Sequence, residues 1–444
     1  MVAVIGGGLA GCEAAWALAE RGLRVTLHEM RPVKMTPAHQ TANLAELVCS
    51  NTFKSVERTH AHGLLKAEMR LLGGGSIVLQ AADAARIPGG SALAVDRVVF
   101  SQGLGARISG HANITIVRGE VTDLPSPGIV ATGPLTSDAL ATAIAKRLTV
   151  EALAFYDAIA PIVAADSLDY PRLFKASRYG KGGGDDYWNA PLTQAEYEAF
   201  VAALIAGEQY LPGAGGGHEF DKVPYFEGCL PVEEMAQRGI ETLRFGPMKP
   251  VGLVDPKTGR EPYAVVQLRQ EDRAAQMWNL VGFQTRLKTG SQQRVFRTIP
   301  GLAQAEFLRF GSIHRNSYLN APRALSPHLS ARDEPLLLFA GQLTGVEGYT
   351  ESAATGMLAG INLARLLAGD EPVLPPPTTM LGALYRYLRE TDPARFQPMN
   401  ANFGLLEPLD DPPRDKFKKK GALAERALRD MERFAQQVGV AIPA

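Results

Sequence analysis

Val2-Ala3-Val4-Ile5-Gly6-Gly7-Gly8-Leu9-Ala10-Gly11 opens the chain, and its reading decides the fold. The four leading residues are a continuous apolar run, as in a parallel strand covered on both faces. A small-residue helix is expected from about Leu9 to Glu20, stopping at Gly22, and then a second strand from Val25 to His28 that ends at Glu29. Gly6, Gly8 and Gly11 fill the GxGxxG pattern between strand and helix, with Glu29 23 residues beyond Gly6. The first glycine makes a tight turn, the second admits a pyrophosphate, and the third lets helix and strand approach. Free amides across Gly7, Gly8, Leu9 and Ala10 would then bind phosphates at the helix start, and Glu29 would accept hydrogen bonds from ribose hydroxyls.

A late segment points to FAD as the dinucleotide. Leu336 to Phe339 reads as another buried strand, running into Ala340, Gly341 and Gln342 and then a small-residue helix from about Glu351 to Leu367. A helix N-terminus placed this way can face the pyrimidine edge of a flavin, where its dipole stabilises the reduced anion. Ile129 and Val130, running into Ala131, Thr132 and Gly133, form a further strand-end turn of this kind. No second glycine fingerprint follows a strand, so NADH or NADPH is expected to visit the flavin rather than to own a domain.

Outward from these segments the chain of 444 residues divides into four parts. Residues 1–149 and 316–370 are expected to form one Rossmann-like FAD-binding domain of α/β class, interrupted at 150–315 by an inserted α+β domain. The insert alternates as half-exposed antiparallel strands do, at Ile162 to Ala165, Thr242 to Phe245, Ala264 to Leu268, Trp278 to Phe283 and Phe307 to Phe310. From Met30 to Ala92 a loop-rich stretch with one helix, His62 to Leu72, is expected. Pro372 and Pro375 to Pro377 lead into a helical tail, residues 371–444, with apolar residues at helical spacing.

Composition excludes several classes. Forty-six basic and 46 acidic residues cancel, so a nucleic-acid partner would have to be met by local patches. Three cysteines, Cys12, Cys49 and Cys229, have neither metal-ligand nor disulfide spacing, so no metal site is expected. Neither a signal peptide nor a membrane span is visible, and a cytoplasmic protein is expected. Cys12 lies inside the first helix and reads as packing. Cys49 and Cys229 sit among polar residues or glycine, where a thiolate nucleophile is plausible, although packed thiols would look the same. Basic residues bunch at Arg286, Lys288, Arg294 and Arg297, at His314 and Arg315, and in the tail at Lys418, Lys419 and Lys420.

Several longer matches carry a resemblance. Glu29-Met30-Arg31-Pro32, Met35 to His39, Glu46 to Asn51 around Cys49, Cys229 with Pro231 to Glu233, Phe245 to Leu253, and Gly345 to Thr355 closely resemble the bacterial folate- and FAD-dependent tRNA uracil-5-methyltransferases. The matches cover nearly the whole chain. The resemblance implies conversion of the T-loop uridine of tRNA, position 54 by convention, to 5-methyluridine. The carbon would come from 5,10-methylenetetrahydrofolate and the electrons from NADH or NADPH through FAD. Carbon 5 of uracil is a poor nucleophile, and thiolate attack at carbon 6 makes it an enolate carbon. Cys229 matches the family position given that attack. Cys49 matches the second cysteine, beside the flavin, with a role in protecting or transferring the one-carbon unit.

Arg31, Gly341, Gln342 and Gly345 are expected to join the glycine turn around the cofactor, and Arg286, Lys288, Lys418, Lys419 and Lys420 to meet RNA. No obligate protein partner is implied. Thr52 and Phe53 depart from the Ser and Leu common in the family, and the Gly213 to Gly217 tract is longer than expected. Three other readings fit parts of the sequence. They are a related flavoenzyme acting on anticodon uridines, an FAD oxidoreductase of small acids that uses His314 and Arg315, and a non-catalytic FAD-binding RNA scaffold.

Overall fold

The computed structural model describes residues 1–149, 153–210 and 230–438, without the side chains of 153–157, 314 and 315. Its first sheet runs in the order Ser330–Ala331, Glu334–Phe339, Gly128–Val130, Val2–Ile5, Val25–Glu29, Ile114–Arg118. Only the short Ser330–Ala331 edge is antiparallel. Val4 lies in register with Leu27 on one side and Ile129 on the other, and Ile129 with Leu338. All four are fully buried, which explains the unbroken apolar runs.

The chain leaves this sheet after Val130 and returns to it at Ser330. Between lies a six-stranded antiparallel sheet, ordered Phe174–Lys175, Tyr187–Leu192, Ala264–Gln270, Met277–Leu280, Ile162–Ala164, Phe307–Arg309. A two-stranded ribbon, Leu153–Ile159 with Ser312–Tyr318, leads into and out of it. Four of the five strands expected here are present. Thr242–Phe245 is instead a single helical turn. In a strand Leu243 and Phe245 would share a face, but the helical twist sends Leu243 into the core and leaves Phe245 81% exposed.

The stretch from Met30 to Ala92 holds more structure than its composition suggests. Besides the helix Ala61–Leu71 it contains a second, Ile77–Ala84, begun by the Ser76 hydroxyl accepting the Leu79 amide at 3.0 Å. Thr52–Ser55, Ala92–Val95 and Arg86–Ile87 make a small antiparallel sheet whose first strand follows Cys49.

Two helices close the first sheet's core. Gly356, on the helix Tyr349–Ala368, approaches Ala10 so closely that a Cβ would stand 2.1 Å from the Ala10 carbonyl oxygen. One turn on, a Cβ at Gly360 would stand 2.7 Å from that of Ala14. The helical tail packs on the same body: Leu423, Ala427, Met431 and Phe434 of Lys416–Gln437 are buried at the expected spacing. The buried Glu68 carboxyl group accepts the Met380 and Leu381 amides, at 2.7 and 2.9 Å, and so starts the Met380–Glu390 helix. Among the described residues no helix is long and apolar enough to cross a membrane.

Candidate active site

The glycine turn divides its labour as expected. Gly6 has φ +104°, and a Cβ there would meet the Ala131 carbonyl oxygen at 2.5 Å. At Gly11 a Cβ would stand 1.7 Å from the Gly6 oxygen, so this glycine is required by the turn itself. Gly8 differs: its φ of −80° suits any residue, and a Cβ would find no protein atom within 4 Å. Neither backbone nor packing asks for glycine at this point, which fits a position kept bare for a ligand's phosphates. The residues present therefore fit a dinucleotide.

Glu29 closes the second strand, 5% exposed, beneath this turn. One carboxylate oxygen takes the Gly7 amide at 3.1 Å and Arg31 Nη2 at 3.1 Å. The other takes the Arg31 backbone amide at 3.0 Å and Nε at 2.9 Å. Burial works to raise the carboxyl's pKa, but Arg31 outweighs it and holds the group below the ordinary carboxylate range. Arg31, 2% exposed, also reaches Glu46 at 3.2 Å. Gly6 to Ala10, Glu29, Arg31, Gly341 and Gln342 line one cleft. Gly11 and Gly345 do not border it; at Gly345, φ +90°, the missing side chain makes room for the Phe396 ring instead.

A second cavity, of 270 Å³, opens beside the first and shares Val48, Pro134, Leu135, Gln342 and Tyr349 with it. Half-buried Cys49 borders it, its Sγ 3.9 Å from the Ala158 carbonyl. The Tyr349 phenol oxygen accepts the amides of Cys49 and Ser50 at 3.0 and 3.1 Å. Burial and the neighbouring Cys49 push this phenol's pKa up, so it keeps its proton. Arg97 donates to Glu271 and to the Leu47 carbonyl, both at 2.7 Å. Arg269 donates Nε to Asn51 Oδ1 at 2.9 Å, while Asn51 Nδ2 serves the carbonyls of Val95 and Gln270. The Cys49 loop is thus tied to the antiparallel sheet by buried polar bonds. Phe53, the departure from the family pattern, packs its ring on Phe100 and Tyr349, with centroids 5.4 and 5.6 Å apart.

Known proteins place this architecture. A family model described as "Glucose inhibited division protein A" matches residues 1–371. A Geobacter sulfurreducens protein named "Methylenetetrahydrofolate--tRNA-(uracil-5-)-methyltransferase TrmFO" is 57% identical over 442 residues, covering 98% of this chain and 99% of its own. The chain belongs to the TrmFO family. An Aquifex aeolicus TrmFO is 54% identical over 438 residues, with 98% of this chain and 96% of the relative covered. A crystal structure of Aquifex aeolicus GidA, 17% identical, aligns with TM-score 0.68 over 99% of this chain and 73% of that one, which establishes the shared fold.

The remaining positions singled out in this TrmFO-family sequence scatter. Cys229, the Gly213 to Gly217 tract and the side chains of His314 and Arg315 lie outside the described residues. Cys12 is fully buried against the Gly7 carbonyl, as packing requires. Arg286 is 9% exposed and bound to Glu234 at 2.5 Å and Gln209 at 2.7 Å, which leaves its charge compensated and little surface for a phosphate. Lys288 is exposed beside Glu208, and Lys418, Lys419 and Lys420 are exposed at the start of the last helix. Tyr349, Asn51, Arg97 and Arg269 are not singled out by the sequence alone. Asn51 lies at the end of the Glu46 to Asn51 stretch and Tyr349 within Gly345 to Thr355, and those two neighbourhoods are the available signal.

Proposed function

We propose that the protein methylates carbon 5 of the T-loop uridine, position 54, of tRNA, taking the carbon from 5,10-methylenetetrahydrofolate and two electrons from NADH or NADPH. One observation supports this reading most: the cleft under the glycine turn and the cavity of Cys49 share five lining residues. A dinucleotide whose phosphates rest on Gly8 would therefore extend its reactive ring toward a thiol. FAD, when bound, supplies the redox step that takes the one-carbon unit from the methylene to the methyl level. Residues 1–149 and 316–370 would hold it, with 150–315 presenting the nucleic acid and 371–444 bracing the cofactor-binding part.

Cys229 is assigned the attack. Its thiolate forms a bond to carbon 6, and the electron pair displaced from the 5,6 double bond makes carbon 5 nucleophilic. Carbon 5 bonds the methylene carbon and gives up its proton, and cleavage of the carbon–nitrogen bond releases tetrahydrofolate and leaves an exocyclic methylene. Two electrons and a proton reduce that methylene to methyl, and the electron pair returning to the 5,6 double bond breaks the sulfur to carbon 6 bond and frees the thiolate. Cys49, its amide fixed by Tyr349, is assigned the protection or transfer of the one-carbon unit. Exposed Lys288, Lys418, Lys419 and Lys420 are assigned to the tRNA backbone, with a cytoplasmic location. Full-length identity to the TrmFO relatives supports this reading over a small-acid oxidase, a scaffold or an anticodon-modifying enzyme.

The test combines tRNA, labelled methylenetetrahydrofolate and NADPH with nucleoside analysis for 5-methyluridine. With 5-fluorouracil-containing tRNA, wild type should form a covalent adduct, Cys229→Ala should form none while keeping its flavin, and Cys49→Ala should alter the flavin spectrum. An adduct that survives Cys229→Ala and vanishes in Cys49→Ala would reverse the two assignments.

A further inference from the structure

Tyr179 lies in the loop that joins Phe174–Lys175 to Tyr187–Leu192, and it is 64% exposed. Its φ is +58°, in the left-handed region that bulky side chains rarely adopt. Two contacts with one glycine hold it there. The Tyr179 amide donates to the Gly252 carbonyl at 3.0 Å. A Cβ on Gly252, itself at φ +82°, would stand 2.6, 2.8 and 2.8 Å from Cε1, Cδ1 and Cζ of the tyrosine ring. Near-equal distances to three successive ring atoms put that point over the face of the ring, not off its edge. One face of the ring therefore rests on Gly252, and the exposure belongs to the other. Gly252 falls within Phe245 to Leu253, one of the stretches that carry the family resemblance, and methyl transfer gives that stretch no part.

The charges beside the ring suit a polyanion. Arg178 donates to the carbonyls of Val251 and Lys249 and lies 3.4 Å from Gln267 Oε1. All three acceptors are neutral, so no contacting carboxylate cancels its charge. Half-buried Lys249 has no ion pair among the described residues. Glu261 accepts the Gly252 amide at 2.7 Å and steadies the glycine under the ring. The position also fits. Gln267 stands two residues before Arg269 on the strand Ala264–Gln270, hence on the same face, and Arg269 borders the cavity of Cys49. Pro247, from the same stretch as Gly252, packs on Gly282 at the border of that cavity, where a Cβ would stand 2.7 Å from its own. We infer that the bare face of Tyr179 stacks on an unpaired base of the tRNA loop that carries the target uridine, while Arg178 and Lys249 meet the adjoining phosphate. The inference rests on the proposed function, which brings an RNA loop to this cavity. Loop bases are free to splay out and stack on aromatic rings, and a ring held in place beforehand loses little freedom when they do.

The test measures binding of tRNA and of a blunt-ended RNA duplex to the flavin-loaded full chain over a salt series, for wild type, Tyr179→Phe, Tyr179→Asn and Lys249→Ala. Asparagine tolerates positive φ better than most residues, so it removes the ring and keeps the backbone of the loop. Tyr179→Asn should weaken tRNA binding by roughly fivefold to a hundredfold, the effect of losing one stacked base, with duplex binding and salt slope unchanged. Tyr179→Phe should stay within about twofold of wild type, because it keeps the ring. Lys249→Ala should lower the logarithmic salt slope for tRNA by about 0.7. Wild-type tRNA affinity in Tyr179→Asn, or an equal loss on the duplex, would overturn the inference. So would a Tyr179→Phe variant as weak as Tyr179→Asn, which would make the phenol hydroxyl the contact instead of the ring. Should Tyr179→Asn lose its flavin or melt early, Tyr179→Gly takes its place in the same comparison. Product analysis on wild type separates the two claims: absent 5-methyluridine with the Tyr179 effect intact overturns the proposed function alone, whereas product with wild-type affinity in Tyr179→Asn overturns the inference alone.

Discussion

The phenol oxygen of Tyr349 receives the backbone amide of Cys49 at 3.0 Å, across a sequence separation of 300 residues. The helix that closes the first sheet thereby sets the position of the Cys49 backbone. Tyr349→Phe removes the acceptor for two amides at once, and buried donors left unpaired cost about 1–3 kcal/mol each. The variant should melt lower, alkylate faster at Cys49 in a timed iodoacetamide assay, and retain its flavin. Unchanged alkylation would mean that the loop is held by Asn51 alone.

Gly8 and Gly11 should fail in different ways. A Cβ at position 8 meets no protein atom within 4 Å, so Gly8→Val should fold with near-native stability and lose flavin. Gly11→Ala drives a methyl into the Gly6 carbonyl and should reduce soluble, folded protein outright. Absorbance near the flavin band, read against far-ultraviolet circular dichroism, separates the two. Full flavin in Gly8→Val would remove the phosphate-turn assignment.

Glu68 makes the stability depend on pH. Burial drives its carboxyl up to about 8, against the lowering pull of the Met380 and Leu381 amides. The folded state binds this proton more tightly than the unfolded chain, so the contribution is full below the ordinary carboxylate range and is lost as pH rises toward about 8. Lys66, on the same helix, is pushed down to about 7 by burial and contributes the opposite slope above that pH. Glu68→Gln keeps an acceptor but cannot ionise. Its melting temperature relative to wild type should rise between pH 5 and pH 8, and a constant difference would place the titration elsewhere.

Charge on the last helix should govern RNA affinity more than Arg286 does. Replacing Lys418, Lys419 and Lys420 together with alanine should weaken tRNA binding and lower its logarithmic salt slope by about 0.7–0.9 for each phosphate no longer neutralised. Arg286→Ala should instead lower the melting temperature, because it empties a buried position and leaves half-buried Glu234 and Gln209 without this partner. Filter binding over a salt series, with calorimetry alongside, distinguishes these outcomes. An Arg286→Ala slope change equal to that of the lysine triple variant would restore it to the RNA face.

What can be read from the sequence is whatever one local pattern encodes. The turn at Gly6 to Gly11, the strand ending in Glu29 and the buried spacing of Leu423 to Phe434 each follow from neighbours within a few turns of chain. Thr242 to Phe245 reads as a strand and folds as a helical turn because four residues are too few to tell a period of two from one of 3.6. Arg286 reads as a surface charge because a basic run says nothing of Glu234, which claims it only after folding. The polar ties around Cys49 join residues far apart in the sequence, Asn51 to Arg269 and Arg97 to Glu271, and no local pattern announces such a pair.

The close approach of Gly356 to Ala10 also bears on how the polypeptide matures as it is made. The helix Leu9–Ala19 leaves the ribosome about 350 residues ahead of its packing partner, which is complete only when synthesis has passed residue 368. At ~5–20 residues per second the interval is on the order of tens of seconds. Throughout it, the opening strand can already pair with Val25–Glu29 and Gly128–Val130, but the first helix lacks the partner that covers it, while the antiparallel sheet, encoded entirely in between, can assemble. Competence to retain a nucleotide is thus acquired late in translation, and a chaperone that shields the amino-terminal helix would have its greatest effect before the second half of the chain is complete.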